Sequence, residues 1–387
     1  LIKNLLILIL LTINCKNPPC SVLDSSCNPI GYIIPNLIFA RNPNTTQTQT
    51  SNTNQFPITA FGGPRDIIIN WTAQTGATSY RIYRKSSASV TGADTEITNG
   101  GTTNLTFMET ALNDNTPRFY RVSFVRNGTE IFSNEASANA NLTNLGLFLK
   151  ADSLNQADNT PVVTWSDSSG NGYDATQATA GQRPLFRSNV LNGLPVIRFD
   201  GTDDFLAREI ASPLLTNGTD QYNQTNFLVI KRNSIVGVQH IFTMKPAIDN
   251  STGSNQIIFD TVSGGVIFHG STSVFSGAEL RQHINTTNFF IISLRARNEV
   301  AQNYNGMMYR NGSLVSDSLW VSSSTAYRTG SQFFRIGRNI DTPANQFNGD
   351  IAELIHYNRL MTETEHNQVV CYLSKKYNIA TTVLTCN

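Results

Sequence analysis

Charge is scarce in this sequence. Only 14% of its 387 residues are charged, and they nearly cancel, to a formal net charge of +1. No bulk attraction to nucleic acid or to an anionic membrane surface follows from that balance. Cysteine is scarce too, at five residues, and no spacing of Cys with the five His matches a zinc site. No apolar run is long enough to span a bilayer as a helix; the stretch from Leu5 to Ile13 is too short for that. G-x-S-x-G, H-E-x-x-H and a Gly-rich phosphate loop are also missing, which removes the familiar signatures of serine hydrolases, zinc proteases and nucleotide enzymes.

What is present points outward from the cell. Asn, Thr, Ser and Gly fill the polar positions, as in exported β-rich proteins. Lys3, the apolar run from Leu5 and then Cys15 have the proportions of a secretory signal. Leu11-Thr12-Ile13-Asn14-Cys15 resembles the relaxed lipobox of spirochaete-type bacterial lipoproteins, departing from the stricter pattern at Asn14. The resemblance implies a signal peptide over 1–14, acylation of Cys15 and a lipid-anchored place on the outer membrane or cell surface. The other four cysteines are even in number, so two disulfides are expected, and local pairing gives Cys20 with Cys27 and Cys371 with Cys386. Asn42 to Gln55 is polar apart from Pro43 and reads as the flexible part of a tether spanning 15–55.

Residues 56–140 read as a small all-β unit. Ile67, Ile69 and Trp71 alternate with Asp66, Ile68 and Asn70, Tyr80 to Arg84 forms the next strand, and Asn127-Gly128 marks a tight hairpin. INWTAQTGATSYRIYR and FYRVSFVRNGTEIFSNEAS resemble a fibronectin type III domain, with Arg118 where that family's corner Tyr is usual. The resemblance implies a spacer.

Residues 144–387 carry many short strands and one helix. Expected strands include Leu145–Leu149, 226–231, 240–244, 256–260, 266–269, 289–297, 306–310, 314–317, 333–337 and 351–357. Both faces of the last are apolar, with Ala352 and Leu354 on one and Ile351, Ile355 and Tyr357 on the other, so it belongs inside a sandwich. Thr362 and Glu365 have capping-box spacing, and Val369, Val370, Leu373 and Tyr377 recur helically behind them. Lys375 and Lys376 fall where the helix dipole favours cations. The fold class is therefore all-β, a two-sheet jelly roll closed by a short C-terminal helix. Ala151-Asp152, the segment from Trp165 through Asp167 and Ser169 to Gly172, and Phe199-Asp200-Gly201 before Phe205-Leu206 resemble the laminin G-like branch of the concanavalin A-like lectin/glucanase superfamily. That resemblance implies that the first strand pairs near the last.

Glycosidases of that superfamily carry an E-x-D-x-E run on one strand face, because retaining hydrolysis sets two carboxylates about 5 Å apart. The run is absent, and strict alternation would turn Asp350 and Glu353 to opposite faces. A non-catalytic role is expected. Asp167, Asp174, Asp200, Asp203 and Asp204 are the acidic residues of the motif region. Such turn carboxylates hold calcium, with Asp203 and Asp204 the better pair, or cap turns by accepting from their own backbone. No other cofactor is implied. Arg295 and Arg297, with Arg335 and Arg338, suit a cationic face for sulphated glycans. Trp320, Tyr327 and Tyr309 suit a platform on which a sugar stacks. His356, on an apolar strand, suits packing. The expected partner is a glycan or a host or matrix protein; a passive envelope role and a polysaccharide-active enzyme are the alternatives.

Overall fold

Strand Asn348–Tyr357 has hydrogen-bonded neighbours along both edges. One edge pairs throughout with Gln224–Arg232; the other pairs first with Leu194–Asp200 and then with Leu145–Lys150. The first strand of the sandwich thus lies beside its last. The computed structural model describes residues 55–212, 223–235, 237–246, 254–259, 265–271, 280–283, 287–300, 303–321, 332–340, 345–383 and 386. The expected signal and tether, with Cys15, Cys20 and Cys27, lie outside the described residues, apart from Gln55.

Among the described residues the fold is all-β with one α-helix. In the first large sheet Leu185–Leu191, Leu194–Asp200, Asn348–Tyr357 and Gln224–Arg232 are followed by Phe290–Val300, Asn303–Arg310 and Ser313–Val321. In the second, Thr164–Trp165, Ala175–Thr176, Leu206–Ser212 and Gln332–Ile336 precede Gln239–Pro246, Ser254–Phe259, Gly265–Ser271 and Leu280–His283. The two sheets share a core in which Leu149, Phe199, Leu228, Ile351 and Leu354 of the first meet Trp165, Leu206, Phe242, Phe334 and Ile336 of the second.

The two faces of Asn348–Tyr357 differ from simple alternation. Glu353 pairs with Val229 and Ile351 with Ile230, leaving Ala352 as an extra residue. That bulge shifts the pleat by one position. Ile351 and Leu354 enter the inter-sheet core, while Ala352, Ile355 and Tyr357 enter a second core under the helix. The expected grouping of Ala352 with Leu354 is corrected by the bulge. It also removes the alternation that would have separated Asp350 from Glu353, and each of these buried carboxylates is held by its own cations. Arg198 Nε and Nη2 bind Asp350 at 2.6 and 2.9 Å, and Lys376 Nζ binds Glu353 at 2.8 Å.

Helix α1, Glu363–Tyr377, starts at a complete capping box: Thr362 Oγ1 accepts from Glu365 N, and the Glu365 carboxylate accepts from Thr362 N. Arg359 clamps the same carboxylate with two bonds of 2.8 and 2.9 Å. Burial alone would raise Glu365, but these donors hold it at about 2. Asn378 closes the helix in the left-handed conformation, and Cys371 is joined to Cys386 behind it.

The helix does not bury only one stripe. Val369, Val370, Cys371, Tyr372, Leu373, Ser374, Lys376 and Tyr377 are all buried, because α1 has neighbours on two sides. On one side lies the large sheet, through Phe227, Val229 and Ile355. On the other lies the small β unit, through Phe61 and Ile68. That unit packs Ile58–Gly62, Ile67–Trp71 and Thr106–Glu109 against Thr95–Glu96, Arg81–Lys85, Arg118–Arg126, Thr129–Phe132 and Ala136–Ala138. Ile67, Ile69, Trp71, Tyr120 and Val122 fill its own core. Tyr120 Oη donates to Glu109 at 2.7 Å, while Arg118 pairs with Asp114.

The two units meet in a polar seam. Asp66, wholly buried, accepts from Lys150 Nζ at 2.7 Å and from Tyr372 Oη at 3.1 Å. Arg65 Nη1 reaches the Ser168 carbonyl at 3.3 Å, and in the connection between the units Asn141 N reaches the carbonyl of Gly63 at 2.9 Å. A β-carbon on Gly63 would lie 2.8 Å from the Tyr372 ring, so this glycine permits the close approach. The small unit is seated on the sandwich rather than strung beside it.

Candidate functional site

The turn between Leu194–Asp200 and Leu206–Ser212 gathers the densest group of oxygen donors among the described residues. Gly201, at φ +78, makes the tight bend; a β-carbon there would strike the Asn348 side chain at 2.7 Å. Asp200 Oδ1 accepts from Thr202 N at 2.7 Å and Asp204 Oδ2 accepts from Asp200 N at 3.0 Å. The bend brings one carboxylate oxygen from each of Asp200, Asp203 and Asp204 within 4.8 Å of one another. Asp200 is exposed, Asp203 half-buried and Asp204 buried. Burial, then the neighbouring Asp200, pushes the Asp204 carboxyl up to about 6.

Phe205 follows directly, and two guanidinium groups lie over its ring. The Cζ of Arg338 is 4.8 Å and that of Arg335 is 5.5 Å from the ring centroid, both within cation–π range. Gly337, at φ +89, lets the chain turn between them; its Cα side lies so close to Phe199 that a β-carbon would sit 2.5 Å from that ring. The two arginines differ in their bonding. Arg335 is paired with Glu209 at 2.8 Å and donates to the carbonyls of Asn339 and Ile340. Arg338 makes no ion pair with a described carboxylate, and its buried Nε has no hydrogen-bond partner. Burial first, then Arg335, lowers its pKa. A second such pair joins strand and loop, with Arg208 of Leu206–Ser212 5.1 Å from the half-buried Tyr173 ring.

The donors of this rim fit a hard divalent cation. They are oxygens only, and neither Asp203 carboxylate oxygen is used in a hydrogen bond within the described residues. Asp200, Asp203 and Asp204 would hold such an ion. Asp167 and Asp174 are differently employed. Asp167 accepts from the backbone of Phe148, Ser169 and Tyr173, and Asp174 accepts from Asp167 N. Their carboxylates organise the turn.

The other sequence candidates scatter. Arg295 lies on the first large sheet and Arg335 on the second, so they do not form one face. Nor does Arg295 stand in solvent. It is buried beneath α1, donating twice to the Met361 carbonyl, at 2.7 and 3.1 Å, and once to Tyr309 Oη. Tyr309 is therefore no platform: it is buried, and its ring packs 4.4 Å from His366. Trp320 falls on Ser313–Val321 and Arg297 on Phe290–Val300, with their side chains outside the described residues, as is all of Tyr327. His356 is buried between Asn226 and Asn358, at 2.8 and 2.9 Å. His366 is buried against Ser293 and Phe227, and burial lowers its pKa to about 3.

Phe205 and Tyr173 were not among the aromatic candidates. Both lie inside the motif segments, one after Asp203-Asp204 and the other after Asn171-Gly172, so the signal was an aromatic flanking a turn-forming acidic stretch.

No family model matches this sequence, and no curated protein does. Among solved structures, domain 4 of an extracellular arabinanase from Geobacillus stearothermophilus, in complex with arabinotriose, is similar at 14% identity and a TM-score of 0.40, covering 58% of this chain and 98% of that one. The CBM40 of a Ruminococcus gnavus sialidase, bound to α2,3-sialyllactose, is similar at 14% identity and a TM-score of 0.30, over 39% of this chain and 82% of its own. A Trypanosoma rangeli sialidase in complex with the inhibitor DANA is similar at 11% identity and a TM-score of 0.40, over 83% of this chain; the match spans 53% of that sialidase. Likenesses at this level carry no argument about ligand.

Proposed function

We propose that this chain is a non-catalytic, glycan-binding protein of a bacterial cell surface, lipid-anchored through Cys15. The laminin G-like resemblance supports this reading, since its motif turn at Phe199-Asp200-Gly201 opens the acidic rim. The observation that carries it is Arg338. A guanidinium over an aromatic ring, without an anionic partner among the described residues and beside a carboxylate that accepts no hydrogen bond from them, has spare hydrogen-bonding capacity on both signs of charge. Sugars offer hydroxyls to carboxylates, and anionic sugars offer sulphate or carboxylate to Arg. A divalent cation on Asp200, Asp203 and Asp204 would add a further contact point for sugar hydroxyls.

The test is a glycan array probed with residues 56–387, covering neutral, carboxylated and sulphated glycans, with Arg338→Ala and Asp203→Asn beside the parent. Binding at micromolar concentration that either substitution cuts at least tenfold supports the rim as the site. A blank array, or binding indifferent to both, favours the passive envelope role. The raised Asp204 carboxyl beside Asp200 also has the form of an acid–base pair, which supports a polysaccharide-active enzyme as the second reading. Reducing sugar released from a polysaccharide panel, and lost in Asp204→Asn, would favour it.

A further inference from the structure

In the seam between the small unit and the sandwich, carboxylates outnumber cations. Three of them, Asp66, Asp152 and Glu353, face two ammonium groups, Lys150 and Lys376. The groups come from separate elements: Asp66 precedes Ile67–Trp71, Lys150 ends Leu145–Lys150, Asp152 follows it, Glu353 is on the central strand and Lys376 is on α1. Lys150 Nζ binds Asp66 Oδ2 at 2.7 Å. Lys376 Nζ lies 3.0 Å from Asp152 Oδ2 and 2.8 Å from Glu353 Oε2. Two phenols complete the surroundings. Tyr377 donates to Glu353 Oε2 at 2.7 Å, and Tyr372 donates to Asp66 while lying 3.4 Å from Lys376 Nζ.

Two cations neutralise two of the three carboxylates, so one is left to carry either a proton or an uncompensated buried charge. Asp66 is suited to the anion: Lys150, Tyr372 and the backbone of Ala111 all donate to it. Asp152 is suited to it as well, being partly exposed to water and paired with Lys376. Glu353 is not. It is wholly buried, both of its donors converge on Oε2, and Oε1 has no partner. A buried carboxylate with one bare oxygen is the expensive form, and the neutral acid is the cheap one.

We propose that the seam is a proton-gated clasp: Glu353 is protonated while the small unit is docked on α1, and losing that proton in alkaline solution loosens the docking. Burial raises the Glu353 carboxyl, with Lys376 opposing. The sign follows. An unfolded or undocked Glu353 ionises near its ordinary 4.5, ahead of the docked one. The stabilisation is complete below that pH and is lost as pH rises toward the docked value. Burial raises both phenols, so neither Tyr372 nor Tyr377 loses its proton across that range.

The experiment uses the full chain between pH 6 and 9.5, following thermal unfolding and proteolysis of the 139–144 connection. The parent is expected to lose several degrees and to become cleavable as pH rises. Glu353→Gln keeps an acceptor for Tyr377 and Lys376 without a titrating group, and is expected to hold both properties nearly constant. Asp66→Asn, which weakens the Lys150 pair, is expected to be cleaved already at pH 6. The proposal is overturned if Glu353→Gln melts below the parent at every pH, since Glu353 then serves as an anion. Equal pH slopes in the two proteins overturn it too. Should Glu353→Gln fail to fold, infrared difference spectra of the parent decide: a buried, protonated carboxyl band at pH 6 that disappears on alkalinisation is required, and its absence overturns the proposal.

Discussion

The acidic rim and the seam under α1 are both clusters of carboxylates beside arginine or lysine, yet they are completed in opposite ways. In the seam, Lys150, Lys376, Tyr372 and Tyr377 each give a hydrogen to Asp66, Asp152 or Glu353. At the rim, Asp203 and Arg338 lie close enough to influence one another and still make no ion pair. A buried charge left unpaired is costly, so the seam has to be satisfied internally. A half-exposed charge is satisfied by water and can exchange that water for a ligand. Apart from the bare Glu353 Oε1, bonding capacity in the seam is used up and holds the molecule together, while capacity left over at the rim is the part that can bind.

Removing one partner from each cluster breaks the comparison most directly. Asp66→Ala strands Lys150 and Tyr372 and is expected to cost about 3 kcal/mol or more, the usual penalty for halving a buried pair. Arg338→Ala, at the rim, is expected to stay within about 0.5 kcal/mol of the parent, as surface changes generally do. Denaturant midpoints of the two variants decide. If Arg338→Ala is as damaging as Asp66→Ala, the rim is a structural element and its unpaired groups say nothing about binding.

The disulfide beside the seam ranks next. Cys371 and Cys386 close a loop of 15 residues behind α1. Cross-linking a loop of that length contributes about 3 kcal/mol by restricting the unfolded chain. A Cys371→Ser, Cys386→Ser double variant is expected to lose stability of that order in a urea melt, with the rim's ligand affinity unchanged.

Which parts were legible follows from how local their causes are. The capping box of Thr362 and Glu365 spans four residues and the hairpin turn at Asn127-Gly128 two, with positive φ at both turn positions. Such features are written in neighbouring letters. The bulge at Ala352 was hidden, because it arises from the pairing of two distant strands. Arg295 looked solvated because its partner, the Met361 carbonyl, lies 66 residues away. The seam did leave a trace. Asp66-Ile67-Ile68-Ile69 offers apolar side chains to both faces, and a strand in a free-standing spacer has no use for Ile68. Lys376 gave the opposite impression: one lysine at a helix end suits the dipole, and nothing nearby shows that Glu353 and Asp152 enclose it. The rim was legible as Asp203 and Asp204, but not Phe205 with Arg338, which are joined only by the pairing of Leu206–Ser212 with Gln332–Ile336.

The smallest expected effect sharpens the comparison from the rim side. Asp204 is buried next to Asp200, and its carboxyl stands at about 6 against an ordinary 3.8. A folded-state pKa above the unfolded one means that stability is lost as pH rises from about 4 through 6, and stays lost above that. Asp204→Asn keeps the shape and the acceptor for Asp200 N while removing the charge. It is expected to gain roughly 1–2 kcal/mol at pH 7, given that one pKa unit corresponds to about 1.4 kcal/mol and the turn is partly open to solvent. Calcium separates two explanations for keeping the aspartate. An ion bound by all three carboxylates favours their charged forms, so calcium should raise the parent's melting temperature at pH 7, EDTA should reverse the shift, and Asp204→Asn should respond less. A parent that ignores both calcium and EDTA, while Asp204→Asn is still the more stable protein, would leave the strained carboxyl to serve a ligand's hydroxyls directly.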